Sequence, residues 1–163
     1  YKNIDHFTSI GTNLNINATL DHFIFSVGAS ITGMKNSAFE LLNKRQFTYT
    51  PEARAQIAYR FKLKKLEKTT ASLFYKYNGA MSSYALNDTR DVVPTTIQGF
   101  SILDFTLNQA FLKSKLHTTF GLKNILNVKN IQTNGSTSIH SGNNNSMPVS
   151  IGRSFFVQLS YKF

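Results

Sequence analysis

Apolar and polar side chains alternate with a period of two along most of this chain, and this alternation limits the fold more than any other feature. It is clearest over residues 53–64. One side of that segment carries Ala53, Ala55, Ile57, Tyr59, Phe61 and Leu63, and the other carries Arg54, Gln56, Arg60, Lys62 and Lys64. Successive side chains of a strand point to opposite faces, whereas a helix would place these charges all round its circumference. The segment is therefore predicted to be a strand with one apolar and one polar face.

The same alternation predicts seven strands in all. They cover residues 7–20, 23–32, 53–64, 71–78, 103–111, 116–123 and 151–163. Tight turns are predicted at Asp21-His22, 65–68 and 113–115, and polar loops at 34–49, 86–96 and 131–148. Short and long connections thus alternate strictly, as they do in transmembrane β-barrels with short periplasmic turns and longer extracellular loops. A β-sandwich has no reason to keep that order.

Strand length and aromatic placement favour the same architecture. The predicted strands exceed the usual length in soluble sheets, and the longer ones suffice for a tilted membrane crossing. Six aromatic residues lie near the ends of their strands that adjoin short turns, where a periplasmic girdle is expected, although aromatics are also common in strands generally. They are Phe23, Phe25, Phe61, Phe111, Tyr161 and Phe163. The predicted fold class is all-β, an antiparallel transmembrane β-barrel of which these residues form an incomplete wall of about seven strands.

Composition excludes several classes of protein. The chain has 18 Lys+Arg against 8 Asp+Glu, a formal charge of +10, and no cysteine. Because the charges are spread along the polar faces of strands and no ribonucleoprotein-type motif is present, nucleic acid is not expected as a partner. Without cysteine, neither a disulfide framework nor a thiolate metal site can form. No run of about 18 apolar residues is present, but a barrel does not need one, because its lipid-facing and lumen-facing residues alternate.

The cations of the predicted polar faces have two interpretations. They are Arg54, Arg60, Lys62, Lys76, Lys123 and Lys162. In a barrel they would face the lumen, where a positive field would guide an anionic cargo such as a ferric chelate. The favoured interpretation is that these cations pair with residues of neighbouring strands or contact residues that fill the lumen.

The last strand has a distinctive ending. Phe155, Val157, Leu159, Tyr161 and Phe163 fall on one side at a spacing of two, and the chain then stops on an aromatic residue. This ending resembles the C-terminal strand of bacterial outer-membrane β-barrels. In those proteins the terminal Phe and the Tyr two residues before it are read by the barrel-assembly machinery. The resemblance implies that these five residues form an assembly signal.

Two further stretches resemble TonB-dependent receptors of the Bacteroidetes type. Residues 121–127 read Gly-Leu-Lys-Asn-Ile-Leu-Asn and resemble the G-x-K-N-L-F-N/D segment of the penultimate barrel strand, with Leu126 where the family more often has Phe. Residues 152–163, which begin Gly-Arg-Ser-Phe-Phe, resemble the final strand. The resemblance covers 100–163 in detail and earlier strands only by pattern. The motif residues it marks are Gly121, Lys123, Asn124, Asn127, Gly152 and Arg153.

The resemblance implies a location and a set of partners. Receptors of this family are barrels of about 22 strands in the outer membrane of Gram-negative bacteria, with an N-terminal plug in the lumen. Residues 1–163 are then expected to be the C-terminal part of such a barrel, with a periplasmic C-terminus and the plug and earlier strands outside this sequence. The implied partners are those strands and the plug, the TonB complex and outer-membrane lipid. Whether a surface lipoprotein also binds is left open. No cofactor is implied.

Enzyme chemistry and metal binding have little support in the sequence. No nucleophile–base pair, carboxylate pair or phosphate-binding glycine loop is recognisable, so the chain is not expected to be an enzyme. His140, in the last long loop, is the one candidate for cargo contact, but a lone loop histidine is more often simply solvated. Three functions stay open: an energised importer, a passive porin-like or structural barrel, and a soluble β-sandwich binding module. The cargo is equally open among iron chelate, haem, cobalamin, glycan and peptide.

Overall fold

Antiparallel strands make up 78% of the structure, a computed structural model that describes residues 6–36, 47–62, 67–86, 92–134 and 146–163. The strands are β1 Phe7–Leu20, β2 Phe23–Asn36, β3 Thr48–Phe61, β4 Glu67–Asn78, β5 Met81–Leu86, β6 Val92–Ile97, β7 Phe100–Phe111, β8 Leu116–Lys123, β9 Asn130–Gln132, β10 Ser146–Pro148 and β11 Ser154–Tyr161. These described ranges contain no helix. The all-β prediction is confirmed.

Seven of the strands form one open sheet in the order β1-β2-β3-β4-β7-β8-β11, in which every neighbouring pair is antiparallel. β1 and β11 are its two edges and do not pair with each other. The prediction of seven antiparallel strands with unpaired first and last members is therefore confirmed. Short connections at 21–22, 62–66 and 112–115 alternate with long ones at 37–47, 79–99 and 124–153, as the sequence predicts.

Two of the predicted loops contain strands, so the loop predictions were partly wrong. β5 and β6 pair as a hairpin over the segment predicted as the loop 86–96, and β9 pairs with β10 within 131–148. β2 also continues to Asn36, into the predicted loop 34–49. The loop 86–96 was predicted because Asn87-Asp88 and Pro94 are typical turn residues. Pro94 instead pairs with Tyr84 within a two-stranded hairpin, and the free edges of such a hairpin tolerate proline.

The start of β3 shows why a proline misled the prediction of its boundary. β3 begins at Thr48 and not at Ala53, and Pro51 lies inside it opposite Ile31 of β2. The Pro51 carbonyl accepts a hydrogen bond from the Gly79 amide, 2.8 Å away, on the side of β4. The N–H and C=O of one strand residue point to the same side of the strand, so an N–H at position 51 would also face β4 and not β2. Proline has no N–H, but the hydrogen bonds between β2 and β3 do not need one at this position.

Register places the predicted apolar positions that lie within the described strands on one face. Two rows of directly paired residues cross all seven strands and contain only apolar or aromatic side chains. The first row is Leu20, Phe23, Tyr59, Ala71, Leu107, Phe120 and Val157, and the second is Ala18, Phe25, Ile57, Leu73, Phe105, Leu122 and Phe155. We call this side the apolar face. Arg54, Arg60, Lys76 and Lys123 belong to the opposite, polar face.

Nothing in the described part of the chain covers the apolar face. Ala58, Ala110 and Ile131 are the only buried hydrophobic residues there, and no large side chain is fully buried. Val27, Phe120, Val157 and Leu159, by contrast, are 49–69% exposed. The second layer that a β-sandwich would pack against this face is therefore not formed by the described residues.

Candidate functional site

The turn that follows β8 is organised around Asn124. This residue is 4% exposed and has a left-handed backbone with φ of 51°. Its Nδ2 donates to the Val128 carbonyl and to Ser150 Oγ, each at 2.8 Å, and its Oδ1 accepts from the Val128 amide at 3.0 Å. Its own amide donates to Asp104 Oδ1 of β7 at 2.7 Å. One amide side chain thus joins the turn to the segment that leads into β11.

The second half of the same motif completes this connection. Asn127 Oδ1 accepts from the Arg153 amide at 3.3 Å, and Arg153 Nε donates to the Ile125 carbonyl at 2.7 Å. Gly152 lies between them at φ of 94°, and a Cβ there would stand 2.7 Å from Lys129 Cε. Any other residue would be strained and crowded at this position. We call residues 124–129 with Ser150, Gly152 and Arg153 the clasp.

Gly121 and Lys123 form a separate contact with β11 on the polar face. Gly121 pairs directly with Phe156, whose ring covers it so closely that a Cβ on Gly121 would stand 2.0 Å from the nearest ring carbon. Lys123 Nζ lies 5.4 Å from the centroid of the same ring, within range of a cation–π interaction. A ring packed on a strand glycine fills the space that the missing side chain leaves and fixes the register of the two strands.

The six residues that the family resemblance marks therefore come together at the join of β8 and β11. The Ile125 amide also donates to the Leu103 carbonyl at 2.7 Å, so the clasp reaches β7 as well. In the structure these residues bind other parts of the same chain, and Lys123 and Arg153 also line an open cleft of about 430 Å³ together with Ile125 and Phe155. Sequence reasoning missed Asp104 and Ser150 as partners of Asn124, because these contacts span 20 and 26 residues and leave no periodic signal.

Substituting Asn124 with alanine is expected to loosen the clasp. The change leaves the Val128 amide and carbonyl and the Ser150 hydroxyl without their shared partner, at a cost of about 2–3 kcal/mol. Hydrogen exchange at the Val128 and Gly152 amides should accelerate markedly. Leu126→Ala, in the same turn but 47% exposed, is the matched control and should leave both rates nearly unchanged. Equal effects of the two substitutions would contradict the role of Asn124.

A shallow cleft of about 210 Å³ lies on the polar face. Arg54, Lys76 and Asp104 line it together with the apolar side chains of Phe74 and Ile102. Lys76 Nζ is 3.8 Å from Glu52 Oε2, a pair across β3 and β4. At Lys76, therefore, the structure favours pairing between strands over a free positive field for cargo.

The long connections on one end of the sheet contact one another. Ile97 at the end of β6 bridges Thr133, and the Gln98 amide donates to the Gln132 carbonyl at 2.8 Å. The Thr96 amide donates to Asn134 Oδ1 at 2.5 Å. The loops after β4 and β8 thus form one joint polar surface. His140, the predicted cargo contact, lies outside the described residues.

The residues of the predicted assembly signal lie on an exposed strand edge. Phe155, Val157, Leu159 and Tyr161 share the apolar face of β11, and Phe163 is fully exposed just beyond it. The rings of Tyr161 and Phe163 pack edge to face with centroids 5.2 Å apart. Recognition by an assembly machinery stays a prediction.

Comparison with models of known protein families, with curated proteins and with solved structures found no match. Within the described ranges, no three metal-ligating side chains cluster together. No described helix has the length and hydrophobicity of a transmembrane helix.

Proposed function

We propose that these 163 residues form part of the wall of a β-barrel in the outer membrane of a Gram-negative bacterium. The observation that carries this proposal is the pair of complete apolar rows across seven strands, exposed on one face. Soluble monomers rarely expose apolar patches larger than a few hundred Å². Lipid acyl chains cover such a face without any further protein layer, and the polar face then lines the lumen.

The spacing of aromatic residues along the sheet agrees with the thickness of a membrane. Tyr49 lies at the long-connection end of the apolar face, while Tyr59 and Phe61 lie near its short-connection end. Ten residues from Tyr49 to Tyr59 span about 33 Å of strand, and a tilt of about 40° reduces this to about 25 Å. That height matches the apolar band of outer-membrane barrels.

The two open edges explain why the wall needs further strands. β1 presents a 14-residue edge, and hydrocarbon cannot solvate its unpaired backbone groups. Because seven alternating strands leave β1 and β11 running in the same direction, the two cannot close an antiparallel barrel on each other. An odd number of strands outside these 163 residues must complete the wall, which gives an even total.

We assign the barrel to a TonB-dependent importer because of the clasp motif and the last strand. The motif residues together join β8 to β11, and this shared role supports the resemblance to the family. The importer would take up a scarce nutrient through a lumen filled by a plug, with TonB as the energy-coupling partner. Its loops at the long-connection end would contact the cargo.

The test of this assignment is cargo uptake by whole cells with and without TonB. We expect cells that carry the whole protein to lose high-affinity uptake when TonB is deleted, while surface binding of the cargo persists. Uptake that continues unchanged without TonB would contradict the importer and assign the barrel to a passive pore.

Two deletions are expected to separate binding from assembly. Removing 133–146, in the longest connection, should reduce cargo binding while the amount of folded barrel stays the same. Removing Phe163 should lower the amount of folded barrel without changing the affinity of what does fold. Cell-surface cargo binding and heat-dependent electrophoretic mobility measure the two quantities. A loss of assembly in the loop deletion would contradict this division.

A further inference from the structure

We propose that the short-connection end of the sheet binds the headgroups of anionic glycerophospholipids. This inference rests on the proposed function, because it requires the apolar face to lie in a lipid bilayer. Its basis is a cluster of lysines at this end of the sheet. Lys62 and Lys162, which the sequence predicted to face a lumen, lie one residue beyond the ends of β3 and β11. The cluster consists of Lys62, Lys68, Lys115 and Lys162.

The charge at this end of the sheet is strongly unbalanced. The acidic residues among the described positions there are Asp21 and Glu67. Lys62 Nζ is 3.8 Å from Asp21 Oδ1, but both side chains are more than three-quarters exposed, so the pair neutralises little. A net positive surface results.

Aromatic rings lie immediately next to these lysines. The Tyr59 ring packs against Phe23 and Phe61 with centroid distances of 4.8 and 4.7 Å. At the β11 edge of the sheet, the Tyr161 ring packs against the Phe163 ring. Such a row belongs at the boundary between hydrocarbon and headgroups, because aromatic rings favour that layer.

The distance between the rings and the lysines matches the thickness of the headgroup layer. Lys62 follows Phe61 directly, Lys162 lies between Tyr161 and Phe163, and Lys115 follows Phe111 by four residues. At about 3.3 Å per residue, most of the ammonium groups therefore lie within one side-chain length beyond the rings. The headgroup layer on each side of the hydrocarbon core is about 5–8 Å thick. Phosphates of the lipid thus come within reach of the ammonium groups.

Among the described residues, several cations at the opposite end already have partners within the chain. They include Lys129, packed against Gly152, and Arg153, whose Nε donates to the Ile125 carbonyl. Both belong to the clasp, and the nearby Lys76 pairs with Glu52. The unbalanced lysines at the short-connection end therefore favour anionic lipid in the membrane leaflet that meets that end.

Spin-labelled lipids test this inference in vesicles that contain the whole protein. We expect labelled phosphatidylglycerol to be motionally restricted by the protein about fivefold more strongly than labelled phosphatidylcholine, as a surface lysine attracts anionic lipid by roughly that factor. K62Q/K115Q/K162Q should reduce the ratio towards one. The matched control R54Q/K76Q/K123Q removes three cations from the polar face and should leave the ratio unchanged.

Two further measurements make the result unambiguous. Raising the salt concentration to about 1 M should abolish the preference of the unmodified protein without any substitution. Inorganic phosphate at matched ionic strength should act no more strongly than chloride, and a stronger effect would overturn the lipid assignment in favour of a discrete phosphate site. Equal restriction of both lipids would overturn the inference but leave the barrel intact, whereas no restricted lipid at all would overturn the proposed function itself.

Discussion

Replacing Val27 with arginine is expected to destabilise the membrane-inserted protein by about 2–4 kcal/mol. Val27 pairs with Ile16 and Ala55 on the apolar face and is 55% exposed in the sheet. Ala55 lies midway between Tyr49 and Phe61, so Val27 stands at the middle of the proposed apolar band. A guanidinium there must be desolvated by hydrocarbon or must distort the bilayer. Urea titration in lipid vesicles measures the change in unfolding free energy.

Ser26→Arg is the matched control for this substitution. Ser26 precedes Val27 on the same strand, lies on the polar face and pairs with Asn17 and Gln56. Since an aqueous lumen solvates an added charge, this variant should change the unfolding free energy by less than about 1 kcal/mol. If both variants are tolerated equally, the face that carries Val27 is exposed to water and not to lipid.

Replacing Gly121 with alanine is expected to destabilise the β8–β11 pair by about 1–3 kcal/mol. The new methyl group would stand 2.0 Å from the Phe156 ring, which must then leave its position over the strand. Lys123, 5.4 Å from the ring centroid, would lose its aromatic contact at the same time. The same urea titration detects the loss.

A double-mutant cycle separates this clash from a general effect of alanine on the strand. In a Phe156→Ala background the ring is absent, so Gly121→Ala should have little further effect, with a coupling energy of about 1–2 kcal/mol. Additive effects of the two substitutions would mean that the position of the Phe156 ring does not depend on a glycine at position 121.

The main sheet could be predicted from the sequence because its signal is local. Alternation with a period of two identified β1 at Phe7–Leu20 and β8 at Leu116–Lys123 with the observed bounds. It also placed the apolar residues on a common face, since a shift of one residue would have turned every side chain over. The predicted boundaries were wrong at Pro51 and around Pro94, where the alternation is interrupted. They were also wrong at the ends of β4, β7 and β11, which were predicted at 71–78, 103–111 and 151–163.

The clasp could be predicted only in part. The two asparagines in residues 124–127 are the kind of residue that adopts the left-handed backbone found there. Their partners are not adjacent in sequence: the Asn124 amide reaches Asp104, and Asn127 reaches Arg153. Such contacts depend on how three strands end side by side, which alternation does not encode. β5 and β6 were missed for a related reason, because neither strand alternates apolar and polar residues with a period of two.

The central claim is that the apolar face contacts lipid while the polar face contacts water, and site-directed spin labelling along β2 tests it most directly. These 163 residues contain no cysteine, so single cysteines at successive positions 24–31 can be labelled without interference from this segment. In the lipid-reconstituted whole protein, collision rates with oxygen should peak at odd positions such as Phe25 and Val27. Collision rates with a water-soluble nickel complex should peak at even positions such as Ser26. Water accessibility on both faces, or no period of two, would contradict the account.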